Sequence, residues 1–114
     1  MNLKSRTAAG GAINILELSG RFDAYEVPPV KEMLQEMVQK SPAQVVINLG
    51  QVNFVDSSAL AAMVQGMKHC RENSGDLHLC QLQQPVRIIF ELTRLDKAFE
   101  IYATEEEAVA AFAA

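Results

Sequence analysis

Residues 45–60 read Val45-Val46-Ile47-Asn48-Leu49-Gly50-Gln51-Val52-Asn53-Phe54-Val55-Asp56-Ser57-Ser58-Ala59-Leu60. An apolar run gives way to an acid and two hydroxyls, and then to a new apolar pattern. Gln44 to Leu49 is nearly continuously apolar, as a central strand covered on both faces should be, with Asn48 as its interruption. After Ser58, the residues Leu60, Met63, Val64 and Met67 recur at i, i+3, i+4 and i+7, the stripe of an amphipathic helix facing a core. The turn Asp56-Ser57-Ser58 is therefore the start of that helix. Asp and Ser suit the position because their side-chain oxygens accept hydrogen bonds from first-turn N–H groups that lack helical partners. The same donors, with the positive end of the helix dipole, suit a phosphate.

Working back toward the amino end, Ala12 to Leu18 reads as a strand, with Ile13 and Ile15 apolar and, less strictly, Leu16 and Leu18. It ends at Ser19-Gly20, and Arg21 to Asp23 makes a turn or short strand. Pro28 and Pro29 fit only at the very start of a helix, where a missing N–H is harmless, and Val30, Met33, Leu34, Met37 and Val38 mark its inner face. Ser41-Pro42 closes it. Residues ahead of the first strand read as a frayed tail, as does the carboxyl end.

Toward the carboxyl end, the second helix is expected to stop near Asn73-Ser74-Gly75, glycine suiting a left-handed cap. Leu77, Leu79 and Leu82, alternating with His78 and Cys80, indicate a further and less central strand. Pro85 opens a short helix with Val86, Ile89 and Phe90 inward, Leu95 follows, and Phe99 to Tyr102 forms a last short strand. Thr104-Glu105-Glu106-Glu107 is a capping box, with Ala108, Val109 and Phe112 on the buried side of its helix. Glu105 to Glu107 are read as a helix start and nothing more. Strands alternating with helices of these lengths predict an α/β layered domain, helices packed on a mostly parallel or mixed sheet, as one domain over residues 1–114.

Composition narrows the function. At 49% apolar content the chain is globular. Lys and Arg number 10 against 14 Asp and Glu, a net charge of −4 without a basic stripe, so nucleic-acid binding is not expected. No apolar run approaches the roughly 18 residues of a spanning helix, and Met1 to Gly11 lacks a signal-peptide core, which predicts no membrane association and a cytoplasmic location. Cys70 and Cys80 lack metal or redox spacing and read as buried or half-buried thiols. His69 and His78 read as surface or half-buried residues, and no metal site or cofactor is expected. A hydrolase serine needs a Gly-x-Ser-x-Gly elbow and a base, and Ser58 has neither. With no P-loop or Gly-x-Gly-x-x-Gly turn either, the chain is not expected to be an enzyme. It reads as a substrate.

Two segments carry a resemblance. INLGQVNFVDSSALAAM, residues 47–63, is similar to the signature of the sulphate transporter and anti-sigma antagonist (STAS) domain family. LSGRFDAYEVPPVKEML, residues 18–34, is similar to the family's second conserved region, where a Gly-x-x-Asp turn leads into the first helix. The resemblance covers nearly the whole chain. It implies a STAS-type layered fold, a central mixed sheet of four to five strands with about four helices. It also implies an anti-sigma factor antagonist, in which the second serine of an Asp-Ser-Ser-Gly-Leu turn is phosphorylated. Carried over, the phosphoacceptor is Ser58, with Asp56 and Ser57 in the preceding positions and Asp23 as the acidic residue beside it. Ala59 stands where glycine is common, and alanine keeps the site small. On turn chemistry alone Ser57 and Ser58 could both be simple caps; in the family comparison Ser57 takes the structural cap. Asp23 is either a turn former or a recognition residue.

The resemblance implies a switch. Unphosphorylated, the face formed by the Asp23 turn, the Asp56-Ser57-Ser58 turn and the second helix start would bind an anti-sigma factor. Phosphate on Ser58 would abolish that contact. The implied partners are an anti-sigma factor with serine kinase activity and a histidine-kinase-like ATPase fold, and a metal-dependent serine phosphatase. The alternative is a STAS scaffold or soluble subunit of a stress-signalling assembly or membrane transporter, since fold alone does not separate these uses.

Overall fold

The computed structural model describes residues 2–113. In chain order the strands are β1 (Asn2–Ala8), β2 (Ile13–Phe22), β3 (Gln44–Val55), β4 (Asp76–Cys80) and β5 (Glu100–Tyr102). The helices are α1 (Val27–Met37), α2 (Ser57–Glu72), α3 (Gln84–Leu92) and α4 (Glu105–Ala110). One mixed sheet runs in the order β1-β2-β3-β4-β5, β1 antiparallel to β2 and every other neighbour parallel. The expected central mixed sheet of four to five strands with about four helices is thus present among the described residues.

The larger core lies on one face of the sheet. There Leu16, Leu18 and Phe22 of β2 and Val45, Ile47, Leu49, Val52 and Val55 of β3 pack against Val30 and Leu34 of α1, Met63 and Met67 of α2, and Val86 and Phe90 of α3. Ile13, Ile15, Val46 and Cys80 form a smaller core with Ala108 of α4 on the other face. β2 and β3 are therefore buried on both sides, which is why β3 reads as a continuous apolar run. The pairing of these two strands slips between Glu17 and Ser19 and between Gly20 and Arg21, each time inserting one more residue in β3 than in β2. A side chain changes face at every such bulge. The result is that Phe22 and Val55 come into register, both inward, immediately before the Asp23 and Asp56 turns.

Several expectations are corrected. The residues read as a frayed amino tail form β1, paired from Asn2↔Ser19 to Ala8↔Ile13. Its sequence has no regular apolar alternation because it is an edge strand with mostly exposed side chains, and its conformation is imposed by β2. β2 runs on to Phe22 rather than ending at Ser19-Gly20. β4 is not peripheral: it lies between β3 and β5, with Leu77 and Leu79 buried on one face and His78 and Cys80 on the other, while Leu82 lies beyond it. At the end of α2, Ser74 rather than Gly75 takes the left-handed conformation (φ 62°). Gly75 serves another need, since a Cβ there would stand 1.9 Å from the carbonyl oxygen of Ala43.

The α4 face also departs from expectation. His78 is 5% exposed, not a surface residue. Its Nδ1 lies 2.9 Å from the Ala108 carbonyl oxygen, and its ring stacks on Phe112 with centroids 3.8 Å apart. Glu105 does more than start a helix. Its carboxylate accepts two bonds from the Arg6 guanidinium, at 2.8 and 2.7 Å, and one from Asn48 Nδ2 at 3.0 Å. The Asn48 that interrupts β3 thereby ties α4 to the sheet, and its Oδ1 accepts the Gly50 N–H at 2.8 Å. Thr104 caps α4 as expected, accepting the Glu107 N–H at 3.1 Å.

Candidate functional site

The parallel strands β2 and β3 end side by side, so the turns that follow them emerge together at one end of the sheet. Asp56 links them. As the residue before α2 it has extended backbone, and its Oδ1 accepts the Ala59 N–H at 2.9 Å, capping the helix. Its Oδ2 accepts the Ala24 N–H at 2.9 Å, holding the loop after β2. Its own N–H donates to the Phe22 carbonyl at 3.3 Å. One carboxylate thus satisfies a first-turn donor of α2 and fixes the other turn relative to it. The expectation that Ser57 is the structural cap is corrected: the cap is Asp56, and Ser57 is the first residue inside the helix.

Ser57 and Ser58 are both exposed, and neither hydroxyl is hydrogen-bonded to a described residue. Ala59 is fully buried in the main core, so the turn of α2 that presents Ser58 outward is anchored inward at the next residue. Asp23 is a turn former in this structure. Its carbonyl accepts the N–H groups of Glu26 and Val27 at 2.9 and 3.2 Å, and its Oδ1 accepts the Tyr25 N–H at 3.1 Å. Its Oδ2 lies 3.8 Å from Arg21 Nε, and the Arg21 guanidinium sits 3.9 Å over the centre of the Phe54 ring. Tyr25, at the tip of the loop so fixed, is 90% exposed. Asp23, Asp56, Ser57, Ser58 and Ala59 therefore belong to one pair of tied turns.

Sequence reasoning missed three participants. Ala24 acts only through its backbone, which no side-chain pattern announces. Tyr25 carries the signal of an aromatic in a polar loop. Lys31, on α1, shares a shallow cleft with Ser58, together with Val27, Ala61, Ala62 and Gln65. Its signal lies in the spacing of α1, where it falls one turn beyond Val27.

The chemistry available here is that of an exposed alcohol rather than an activated nucleophile. His78 is buried under α4 on the opposite face, and His69 lies in the third turn of α2 beyond Ser58. Among the described residues no cluster of three or more His, Cys, Asp or Glu side chains could hold a metal. Burial pushes the thiols of Cys70 and Cys80 up to about 12, as expected of buried cysteines.

The model of the STAS domain family matches residues 6–108. The anti-sigma-B factor antagonist of Staphylococcus aureus is 28% identical over 95 residues, spanning 83% of this chain and 88% of that protein. An anti-sigma-factor antagonist (STAS) domain protein from Planctomyces limnophilus superimposes with a TM-score of 0.89 at 24% identity, covering 98% of each chain. The Bacillus cell fate determinant SpoIIAA in its phosphorylated form does so with a TM-score of 0.74 at 20% identity, covering 96% of this chain and 97% of that one. At such identities the structural likeness speaks for the fold.

Proposed function

The chain belongs to the STAS domain family, and from that membership we propose that it is an anti-sigma factor antagonist, a non-enzymatic binding module that works as one domain. It captures an anti-sigma factor while Ser58 is unmodified and lets go once Ser58 carries phosphate. The relative from Staphylococcus aureus bears the same functional name. The single observation that carries the reading is the placement of Ser58. It is an exposed hydroxyl, hydrogen-bonded to no described residue, in the first turn of α2, two residues past a cap that also holds the Asp23 loop.

The partner supplies the catalysis. An anti-sigma factor with serine kinase activity and a histidine-kinase-like ATPase fold would bind ATP. The Ser58 oxygen attacks the γ-phosphorus, the bond to the β-phosphate oxygen breaks, ADP leaves, and the hydroxyl proton passes to a base of the kinase. A metal-dependent serine phosphatase reverses the change by hydrolysis. We place the protein in the cytoplasm, where ATP and sigma factors are found. No helix among the described residues is long and apolar enough to cross a membrane.

Magnitudes decide why contact is lost while the fold persists. Phosphate adds about −1.5 to −2 charges, and the helix start offsets about 0.3–1 kcal/mol of this locally. Enclosing the same charge in an interface designed for a neutral hydroxyl costs several kcal/mol, and about 4 kcal/mol is already a thousandfold in affinity. Ser58→Ala should bind the anti-sigma factor constitutively and Ser58→Asp weakly, each with thermal stability close to the parent. Titration calorimetry against the candidate partner is the test, and equal affinity of the two variants would overturn the proposal.

A further inference from the structure

We infer that Lys31 is the counter-charge of phosphorylated Ser58, closing an ion pair across the cleft between α1 and α2. The inference rests on the proposed modification of Ser58 and adds to it the residue that receives the phosphoryl group. Val27 and Lys31 are one turn apart on α1, and Ser58, Ala61, Ala62 and Gln65 follow helical spacing on α2, so facing stripes of the two helices line one cleft. Lys31 is the only charged residue in that lining. Its side chain is exposed and forms no ion pair with a described residue. The small side chains of Ala61 and Ala62 keep the surface of α2 low between Lys31 and Ser58, leaving the four-carbon stem room to lie across it.

The other charges nearby are already engaged or carry the wrong sign. The Asp56 carboxylate receives the Ala59 and Ala24 N–H groups. Asp23 receives the Tyr25 N–H and faces Arg21, whose guanidinium covers Phe54. Glu26 is acidic, and the first turn of α2 holds no acidic residue. A dianion on Ser58 therefore meets two acidic turns on one side and a single ammonium on the other. It is drawn away from the turns and over the cleft, where the ion pair bridges α1 and α2 and covers a groove that is open in the unmodified protein. No covalent step beyond the phosphoryl transfer described above is involved.

The test is a phosphorus NMR titration of full-length protein with phosphoserine installed genetically at position 58, between about pH 4 and 8, around the second phosphate ionisation near 6. A neighbouring cation favours the dianion, and solvent screening keeps the effect modest, so the parent should titrate about 0.5 pH unit below Lys31→Met. Lys31→Arg should retain the low value, because charge rather than shape is responsible. Identical titration of all three proteins would overturn the inference. Because the phosphoserine is built in, this result does not depend on any kinase. Failure of anti-sigma kinases to modify Ser58 would instead overturn the proposed function.

Discussion

At the scale of single residues, Asp56 is the position on which the site depends. Its two oxygens serve two backbone donors on different segments, so Asp56→Ala removes the cap of α2 and releases the Ala24 loop together. Loss of a cap costs about 0.5–2 kcal/mol, and the second bond places the effect toward the upper end. Ser57→Ala, lacking any such bond, should stay within about 0.5 kcal/mol of the parent. Urea unfolding of both variants checks the contrast; a larger loss for Ser57→Ala would reverse the assignment of the cap. That assignment was not legible in the sequence. Ser and Asp are nearly equal as helix caps, so the run Asp56-Ser57-Ser58 allows either, and the choice falls to Asp56 because an N–H from a segment 32 residues away also needs an acceptor. What the sequence does show plainly is that a helix begins here and that hydroxyls stand at its start.

Among the elements, those with strong periodicity were readable and those defined by their neighbours were not. α1, α2 and the apolar stretch of β3 each carry their own pattern. β1 does not, because an exposed edge strand has little apolar face to display, and its place follows from pairing with β2. In β4 the alternation of Leu77 and Leu79 with His78 and Cys80 suggests a less central strand, yet the histidine is buried because α4 folds over it and the Phe112 ring covers it. α4 itself is short, and its attachment depends on Glu105. The paired guanidinium bonds from Arg6 are the main reason the Glu105 carboxyl is held below the usual 4.5, burial opposing them and the Asn48 bond assisting. A carboxyl lowered in the folded state stabilises it above the unfolded value, and that contribution disappears as pH falls through the folded one. Glu105→Gln should therefore be less stable by about 1 kcal/mol at neutral pH, a figure kept small by the exposure of Arg6. The gap should close as the pH is lowered below about 4.5. Thermal melts at a series of pH values measure it; a gap constant down to strongly acid solution would show that the ion pair is not its source.

Over the whole molecule, the sheet separates two cores of unequal size, and each contains one thiol. Cys70, on the inner face of α2, lies in the large core, whereas Cys80 of β4 lies in the small one beneath α4. Both are buried and held protonated, so neither should react with a thiol reagent at pH 8 in the native protein. In denaturant below the main transition, the shorter helix and smaller cluster should open first, exposing Cys80 before Cys70. Labelling followed by peptide mass spectrometry tests the order, and equal rates would mean that both faces open only together. The layered architecture was legible because alternating strand and helix patterns admit few arrangements. The division into a strong and a weak face was not, since it turns on which side each short helix returns.

One consequence concerns how the protein is handled. β1 runs antiparallel to its neighbour, so Asn2 lies opposite Ser19, close to the end of the sheet from which the Asp23 and Asp56 turns emerge. α4 runs back the other way, from Glu105 near the level of Asn48 to Ala108 beside His78, two residues earlier in β4 than Cys80, the partner of Asn48. On the proposed reading, an affinity tag or fluorophore fused ahead of Asn2 would crowd the face that docks the partner, whereas one joined beyond α4 would start from the opposite pole of the sheet.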